Sequence, residues 1–218
     1  MSGITYDYME EFIRSLITEH NEELTLLEEY AHENSVPIIQ KEVGKFLELM
    51  ITVKKPKRIL ELGTAIGYSA ILMNLASNGV AEVTTIERDK TMIEQALANI
   101  EKFNLTNKIN VIEGDCQEEL QKLAGEFDFI FMDAGKGHYN HFLPECLRLL
   151  SKDGVIVADN VLFRGMIASD DLVKRRKITI VKRMRAYLNE ICSREDLITS
   201  ILPMGDGIAV TVRRNSND

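Results

Sequence analysis

Five successive apolar runs in the sequence each lead into polar side chains that could do chemistry. These side chains are Glu61, Glu87, Asp115, Asp133 and the pair Asp159-Asn160. Asp133, Asp159 and Asn160 offer only hard oxygen donors, which favours a Mg²⁺-like ion over Zn²⁺. Lys136 lies three residues after Asp133; a lysine beside a divalent cation and away from water can lose its proton and act as a base. Any one of these carboxylates could equally well be a helix N-cap rather than part of a binding site. A helix N-cap is the role expected of Asp89.

The loop after the first of these runs is expected to bind the cofactor. Gly63 and Gly67 frame a turn between a strand pattern and a helical pattern, where backbone N–H groups can reach a ligand. Their G-x-x-x-G spacing is not that of a dinucleotide site, and taken alone it fits a tight strand-to-helix connection equally well. Glu87 lies 24 residues beyond Gly63, where an acid can bind ribose hydroxyls. An adenosine-type ligand is therefore predicted.

Alternating strands and helices must position these residues. Strand patterns fall at 58–62, 83–87, 108–112, 127–132 and 155–159, and helical patterns near 68–77, 89–103, 116–124 and 138–150. The alternation predicts a parallel sheet covered by helices, with its strand ends converging at one edge. A helix near 172–193 and an antiparallel hairpin of 197–201 and 208–212 are predicted to follow.

The chain is expected to form one α/β domain over residues 1–218. Helical patterns within residues 7–51 predict a cap (1–55) before the α/β core (56–214), serving as a cover of the sheet, a dimer contact or a lid. The net charge of −8 disfavours a generic nucleic-acid binder, and three cysteines without a C-x-x-C pair predict reduced packing residues. The sequence has no leader pattern or long apolar run, so we expect a cytoplasmic protein without membrane contact.

Four segments carry a resemblance to a known family. Residues 36–47 (VPIIQKEVGKFL), 59–70 (ILELGTAIGYSA), 132–139 (MDAGKGHY) and 157–161 (VADNV) resemble motifs of metal-dependent S-adenosylmethionine O-methyltransferases, the catechol and caffeoyl-CoA type. The paired D-x-x-K and D-N motifs are more specific than the glycine loop. The resemblance implies a Rossmann-like class I methyltransferase sheet of strand order 3-2-1-4-5-7-6, with its last strand antiparallel.

The resemblance also implies a role for each matching residue. The residues implied to contact S-adenosylmethionine are Ile39, Glu61, Gly63, Ser69, Glu87, Asp115, Cys116 and Asp133. Of these, Glu61, Gly63 and Ser69 would surround the methionine end. Glu87 would bind the ribose, and Asp115 and Cys116 would flank the adenine. Mg²⁺ or a similar divalent cation would be held by Asp133, Asp159 and Asn160. Lys136 would be the general base, and Asp133 would be a second catalytic residue.

A basic cluster precedes and enters the predicted long helix. It consists of Lys174, Arg175, Arg176, Lys177, Lys182, Arg183 and Arg185, with no acidic residue among them. Without these seven charges the chain would carry −15 rather than −8, so the cluster is a local reversal of sign. On a helical wheel all but Lys177 lie opposite an apolar stripe. The plain interpretation is a solvated helix face, and the functional one is a footprint for a phosphate backbone.

The acceptor is the last question that the resemblance addresses. Small-molecule members often carry an aromatic residue just after the first metal aspartate, where this chain has Ala134 and Gly135. This open pocket and the basic cluster are most similar to the bacterial tRNA 5-hydroxyuridine methyltransferases, which form 5-methoxyuridine at the wobble position. That similarity implies the tRNA anticodon arm as partner, bound by the cluster other than Lys177. A small-molecule catechol or caffeoyl-CoA acceptor is the alternative, and a non-enzymatic or NAD-binding protein is a third hypothesis. NAD binding would require a third phosphate-loop glycine and would leave Asp159-Asn160 unexplained. A homodimer is also expected.

Overall fold

The computed structural model describes residues 4–18 and 21–214. Residues 1–3, 19, 20 and 215–218, part of the predicted domain, lie outside this description. Three helices come first: α1 (Asp7–Ser15), α2 (Glu22–Glu33) and α3 (Lys41–Lys54). The alternating core consists of β1 (Arg58–Leu62), α4 (Tyr68–Ala76), β2 (Glu82–Glu87), α5 (Lys90–Lys102), β3 (Ile109–Glu113), α6 (Cys116–Lys122), β4 (Phe127–Met132), α7 (Tyr139–Leu149) and β5 (Leu150–Ala158). After it come α8 (Ile178–Ser193), β6 (Leu197–Leu202) and β7 (Ile208–Arg213).

The strands of the described chain form one seven-stranded sheet in the order β3-β2-β1-β4-β5-β7-β6. β7 runs antiparallel to both of its neighbours, β5 and β6, and the other pairs are parallel. This confirms the predicted topology. The register pairs Leu62 with Met132 and Met132 with Ala158. Because these are the last residues of β1, β4 and β5, the loops that follow the three strands start level at one edge.

Both faces of the sheet are buried under helices. In β4, Phe129 and Phe131 pack with α3 and α4, whereas Ile130 and Met132 pack with α7 and α8. A strand covered on both faces has no polar side, so it appears in the sequence as a continuous apolar run. Within the part of the chain that the structure describes, no helix has the length and apolar character needed to cross a membrane.

The predicted helix near 172–193 begins later than expected. Residues 170–172 and 175–177 form two short 3₁₀ turns, and α8 starts at Ile178. Four consecutive cations, Lys174 to Lys177, would repel one another within a helix and would face the positive end of its dipole. Only Lys182, Arg183 and Arg185 of the basic cluster therefore lie on α8, and the helical wheel drawn from residue 172 is wrong for the others.

The apolar side of α1 is uncovered in the single chain. Tyr8 and Phe12 are 67% and 63% exposed. The helix is fastened by Arg14, whose guanidinium donates to both carboxylate oxygens of Glu42 at 2.8 Å and to Oε1 of Gln40 at 2.9 Å. Within the predicted cap, α3 thus covers the sheet, whereas this face of α1 does not, and for α1 the dimer-contact and lid hypotheses stay open.

Candidate active site

A cavity of about 740 Å³ lies at the carboxyl edge of the sheet, where the loops after β1 to β5 meet. The predicted site residues in its wall are Ile39, Gly63, Glu87, Asp115, Cys116, Asp133, Lys136, Asp159 and Asn160. The predicted convergence of the strand ends is thus observed, and the segment before α3 adds a further wall. Glu61 and Ser69 do not line the cavity; they are buried beside it.

The turn after β1 has room for glycine only. Gly63 has a φ of +98°, and a Cβ at this position would lie 3.1 Å from Cβ of Ala134 and 3.2 Å from its backbone nitrogen. Glycine permits both this left-handed backbone and the close approach of the loop after β4. Gly67, with a φ of +83°, then stands at the start of α4. Gly63 therefore shapes the wall of the cavity between β1 and β4, whereas Gly67 forms the turn into α4.

Glu61 is a fully buried carboxylate at the end of β1. Its Oε2 accepts a 2.6 Å hydrogen bond from Oγ1 of Thr85, while its Oε1 has no partner among the described residues. Burial raises the pKa of Glu61 to about 7, although the hydrogen bond from Thr85 and the nearby hydroxyl of Ser69 act against this rise. An unsatisfied buried acceptor is costly unless a ligand or an ordered water completes it. Glu61 is thus positioned to respond to a cationic ligand in the adjoining cavity.

Glu87 joins the two loops on the ribose side predicted for the cofactor. Its Oε2 accepts a hydrogen bond from the backbone N–H of Ala65 at 3.0 Å. Its Oε1 accepts from the backbone N–H groups of Arg88 and Asp89 at 2.9 and 3.0 Å. Oε2 keeps a lone pair for a hydroxyl donor, so Glu87 can still bind a ribose. Asp89 caps α5 as predicted.

The adenine side of the cavity is formed by the start of α6. Asp115 is the N-cap of this helix, and its Oδ1 accepts from the N–H of Gln117 at 2.9 Å. Burial raises the pKa of Cys116 to about 12, so the thiol stays protonated and offers an apolar surface. The N-cap role and the cavity-lining role of Asp115, which seemed to be alternatives in the sequence, coexist.

Asp133, Asp159 and Asn160 lie together at the ends of β4 and β5. Nδ2 of Asn160 donates to Oδ1 of Asp133 at 2.9 Å, and the backbone N–H of Asn160 donates to Oδ1 of Asp159 at 2.5 Å. Burial raises the pKa of both aspartates, and the charge of Asp133 raises that of Asp159 further. Two buried carboxylates repel each other when both are ionised, and a bound cation would offset this repulsion.

The donor chemistry of this group fits a hard divalent ion. In the ranges that the structure describes, no group of three or more His, Cys, Asp or Glu side chains is placed to hold a metal ion. The third possible oxygen donor beside the two aspartates is the side-chain amide of Asn160. Two carboxylates and one amide supply oxygen only, as Mg²⁺ prefers. The residues present therefore fit the ion that the sequence implies.

Lys136 meets the same group from the loop after β4. Its Nζ donates to Oδ1 of Asn160 and lies 5.8 Å from the ring centre of Phe163. Nζ of Lys177 lies 5.7 Å from the same ring. Lys136 thus borders the cavity beside the oxygen donors, and the ring of Phe163 is shared between Lys136 and one member of the basic cluster.

Two supports of this group were missed from the sequence. The hydroxyl of Tyr139 lies 2.9 Å from the carbonyl oxygens of both Met132 and Asp159, and so ties the ends of β4 and β5 together. Asp206 fixes the loop after Asn160 through two backbone donors. Its carbonyl oxygen accepts from the backbone N–H of Leu162 at 2.9 Å, and its Oδ1 accepts from the backbone N–H of Arg164 at 2.5 Å. The Gly-Asp-Gly turn had indicated only a hairpin.

The side chains of the basic cluster differ in whether they have an acidic partner. Arg185 is occupied: it donates to the carbonyls of Ile167 and Met166 at 2.9 and 3.2 Å and pairs with Asp170 at 2.7 Å. Arg185, which was predicted to lie opposite the apolar stripe with the other cations, is thus bound to the segment before α8. Its six companions have no carboxylate within 4.0 Å in the described parts of the chain. Arg183 also lines the cavity, which the helical wheel did not predict.

The fold and the cavity define a class I S-adenosylmethionine-dependent methyltransferase. The sheet order with β7 antiparallel is the one expected for that class, and the ligand-lining residues follow the carboxyl ends of its strands. Residues 15–214 match a family model described as O-methyltransferase. The chain therefore belongs to the O-methyltransferase family.

Similar proteins place the chain on the caffeoyl-CoA and catechol branch of the family. A caffeoyl-CoA O-methyltransferase of Populus kitakamiensis is 32% identical over 188 residues, 82% of this chain and 78% of the relative. A catechol O-methyltransferase of Niastella koreensis is 32% identical over 177 residues, 78% of this chain and 80% of the relative. Both alignments span most of both proteins, which supports the predicted family.

Solved structures agree with the fold and with the cofactor. The methyltransferase PaMTH1 of Podospora anserina, with S-adenosylhomocysteine bound, has a TM-score of 0.87, is 25% identical and covers 96% of this chain and 95% of its own. An O-methyltransferase of Bacillus cereus in complex with the same molecule has a TM-score of 0.82 at 25% identity, covering 95% and 97% of the two chains. These findings support S-adenosylmethionine as the methyl donor of this chain.

Proposed function

We propose that this protein methylates the 5-hydroxyl of wobble 5-hydroxyuridine in tRNA, giving 5-methoxyuridine, with a divalent cation such as Mg²⁺ as cofactor. One observation carries the tRNA assignment: six cations without a carboxylate partner in the described chain gather beside the cavity of an acidic protein. Unpaired cations repel one another, and a polyanion relieves that repulsion. Phosphate backbones bind in this way, through released counterions.

The acceptor chemistry fits the oxygen donors of the cavity. The 5-hydroxyl and 4-carbonyl of 5-hydroxyuridine are vicinal oxygens, as the two hydroxyls of a catechol are. We infer that Asp133, Asp159 and Asn160 hold the cation against this pair. When bound, a divalent cation polarises such oxygens and lowers the pKa of a hydroxyl. The chain itself needs only to orient the acceptor and to take one proton.

Lys136 is the group proposed to take that proton. Its Nζ contacts Asn160 and borders the cavity, so it reaches the place where an acceptor hydroxyl would lie. Nζ accepts the proton as the acceptor oxygen takes the methyl group that S-adenosylmethionine supplies. On the opposite side of the cavity, that molecule would be held by Gly63, Glu87, Asp115 and Cys116. The buried carboxylate of Glu61, beside the cavity, would respond to its positive charge.

A small-molecule acceptor is the second candidate function. The relatives described as caffeoyl-CoA and catechol O-methyltransferases favour it. Coenzyme A carries phosphates that could use part of the basic cluster. However, Lys174, Arg175 and Arg176 are exposed and do not line the cavity. Cations placed outside the cavity suit a long polyanion better than one acyl-CoA molecule.

We also propose a homodimer that works in the cytoplasm, where its tRNA substrate is found. Tyr8 and Phe12 on the uncovered face of α1 would lie in the dimer contact, since exposed apolar patches mark such surfaces. Sedimentation should then give twice the mass of the 24.7 kDa chain. Replacing both residues with serine should give monomers.

Label transfer tests the function directly. The purified protein, labelled S-adenosylmethionine and Mg²⁺ would be combined with tRNA that contains 5-hydroxyuridine, with caffeoyl-CoA or with catechol. We expect kcat/KM to be highest for the tRNA. A higher value for either small molecule would reject the proposal in favour of the second candidate. tRNA that contains unmodified uridine is the matched control.

A further inference from the structure

The acceptor half of the cavity has an aromatic wall that comes from an unexpected position. Ala134 and Gly135 leave space after the first metal aspartate, and a Cβ on Gly135 would lie 3.7 Å from Cδ2 of His138. His138 is exposed and lines the cavity. Its ring lies 6.1 Å from that of Phe142 with an angle of 23° between the planes. The imidazole thus occupies the side of the pocket that the small residues leave open.

The side chain of His138 does not cap the helix that it precedes. It is the N-cap residue of α7, yet its side chain makes no capping hydrogen bond. N-cap positions favour short polar side chains that bind the first N–H groups. A ring at this position that does not cap the helix and that borders the cavity is available to a ligand.

Arg183 reaches the cavity from α8. A Cβ on Gly137 would lie 3.4 Å from Cγ1 of Ile180, so the first turns of α8 pack on the loop that carries Lys136 and His138. From there Arg183 donates to the carbonyl of Gly137 at 3.3 Å. It is half-buried and has no carboxylate partner in the described chain. Four of the five N–H donors of a guanidinium are left for a ligand.

We propose that His138 and Arg183 form a subsite for one nucleotide: His138 stacks on the acceptor base, and Arg183 binds a phosphate of the same nucleotide. Flipped-out bases are commonly stacked on aromatic side chains. A guanidinium donates in pairs to phosphate oxygens, and partial burial strengthens such bonds. The inference rests on the proposed function and adds that the pocket recognises a phosphorylated nucleoside rather than a bare ring.

Two acceptors that differ only in phosphate test the role of Arg183. They are 5-hydroxyuridine and its 3′,5′-bisphosphate, assayed with labelled S-adenosylmethionine and Mg²⁺. The wild type should favour the bisphosphate in kcat/KM by about 10- to 100-fold, the range expected for charge-assisted hydrogen bonds. Arg183→Gln should abolish this preference by lowering kcat/KM for the bisphosphate toward the value for the nucleoside. Lys152→Gln, at the opposite edge of the sheet, should retain the preference.

Three variants test the role of His138. His138→Ala should raise KM for both acceptors by roughly tenfold, because a stacking contact is lost. His138→Phe should restore KM, whereas His138→Gln should behave like the alanine variant. Calorimetry with S-adenosylhomocysteine and thermal unfolding would establish that each variant is folded and keeps its cofactor site.

The outcomes separate this inference from the function on which it rests. If the wild type methylates tRNA but Arg183→Gln keeps the bisphosphate preference, or His138→Phe is no better than His138→Ala, the subsite is rejected and the tRNA function stands. If the wild type methylates catechol or caffeoyl-CoA but no form of 5-hydroxyuridine, both are rejected.

Discussion

The side-chain amide of Asn160 donates a 2.9 Å hydrogen bond to Oδ1 of Asp133 and so links the end of β5 to the end of β4. Its carbonyl oxygen accepts from Nζ of Lys136. Asn160 has a φ of +62°, a left-handed conformation that asparagine tolerates better than most residues. One residue therefore orders the proposed metal donors and the proposed base together.

The first prediction concerns the metal donors. Asp159→Ala should abolish methyl transfer, because one of two carboxylates is lost, while S-adenosylhomocysteine still binds to the loops after β1 to β3. Calorimetry measures the binding and label transfer measures the activity. Asp153→Ala, an exposed change near the start of β5, the strand that leads into Asp159, should retain full activity. Undiminished activity of the wild type in EDTA would contradict the metal requirement.

The second prediction concerns Lys136. Lys136→Ala should lower kcat by roughly 10²–10⁴-fold with little change in KM, because a general base acts mainly in the transition state. Lys136→Arg places a guanidinium at this position that cannot accept a proton near neutral pH, so it should be as slow as the alanine variant. An arginine variant with wild-type kcat would reduce Lys136 to a charge that binds the acceptor.

The third prediction concerns the buried carboxylate of Glu61. Its pKa rises from an ordinary 4.5 to about 7 in the fold, so between these pH values the folded chain keeps a proton that the unfolded chain has released. Stability without ligands should therefore fall as pH rises through this window, with up to about 1.4 kcal/mol per pH unit from this group. Glu61→Gln should flatten the decline.

Urea unfolding at pH 5, 6, 7 and 8 in EDTA measures this effect. The raised pKa values of Asp133 and Asp159 act in the same direction, so the glutamine variant should keep a reduced slope. Glu82→Gln, an exposed change at the start of β2, should leave the curve unchanged. Parallel curves for Glu61→Gln and the wild type would show that Glu61 titrates normally.

Features that follow from the strand order alone could be predicted from the sequence, whereas features that depend on how helices pack could not. The meeting of Gly63, Glu87, Asp133 and Asp159 was predictable, because parallel strands bring their ends to one edge whatever the helices do. The place of Arg183 was not, because it depends on where α8 starts and on its packing against Gly137. The burial of Glu61 beside the cavity was also hidden, since β1 is apolar on both sides and lacks an alternating pattern.

The fourth prediction concerns the basic cluster. Replacing Arg175, Arg176 and Lys182 with glutamine should weaken tRNA binding and flatten its salt dependence by about 0.7–0.9 log units of slope per lost phosphate contact. Folding should barely change, because these side chains are exposed. Filter binding across a salt series gives the slope.

A matched control separates local contacts from net charge. Replacing Lys57, Lys102 and Lys152 with glutamine removes the same charge from the opposite edge of the sheet, so the slope should stay close to that of the wild type. Equal slopes for the two triple variants would mean that the basic cluster is only a solvated surface.

The most direct test of the central claim is mass spectrometry of nucleosides from tRNA treated with the protein. tRNA containing 5-hydroxyuridine would be incubated with the protein, Mg²⁺ and S-adenosylmethionine that carries an isotopically labelled methyl group, and then digested. We predict loss of 5-hydroxyuridine and an equal gain of labelled 5-methoxyuridine, with neither change for Lys136→Ala. Unchanged 5-hydroxyuridine, in a preparation that methylates catechol or caffeoyl-CoA, would contradict the account.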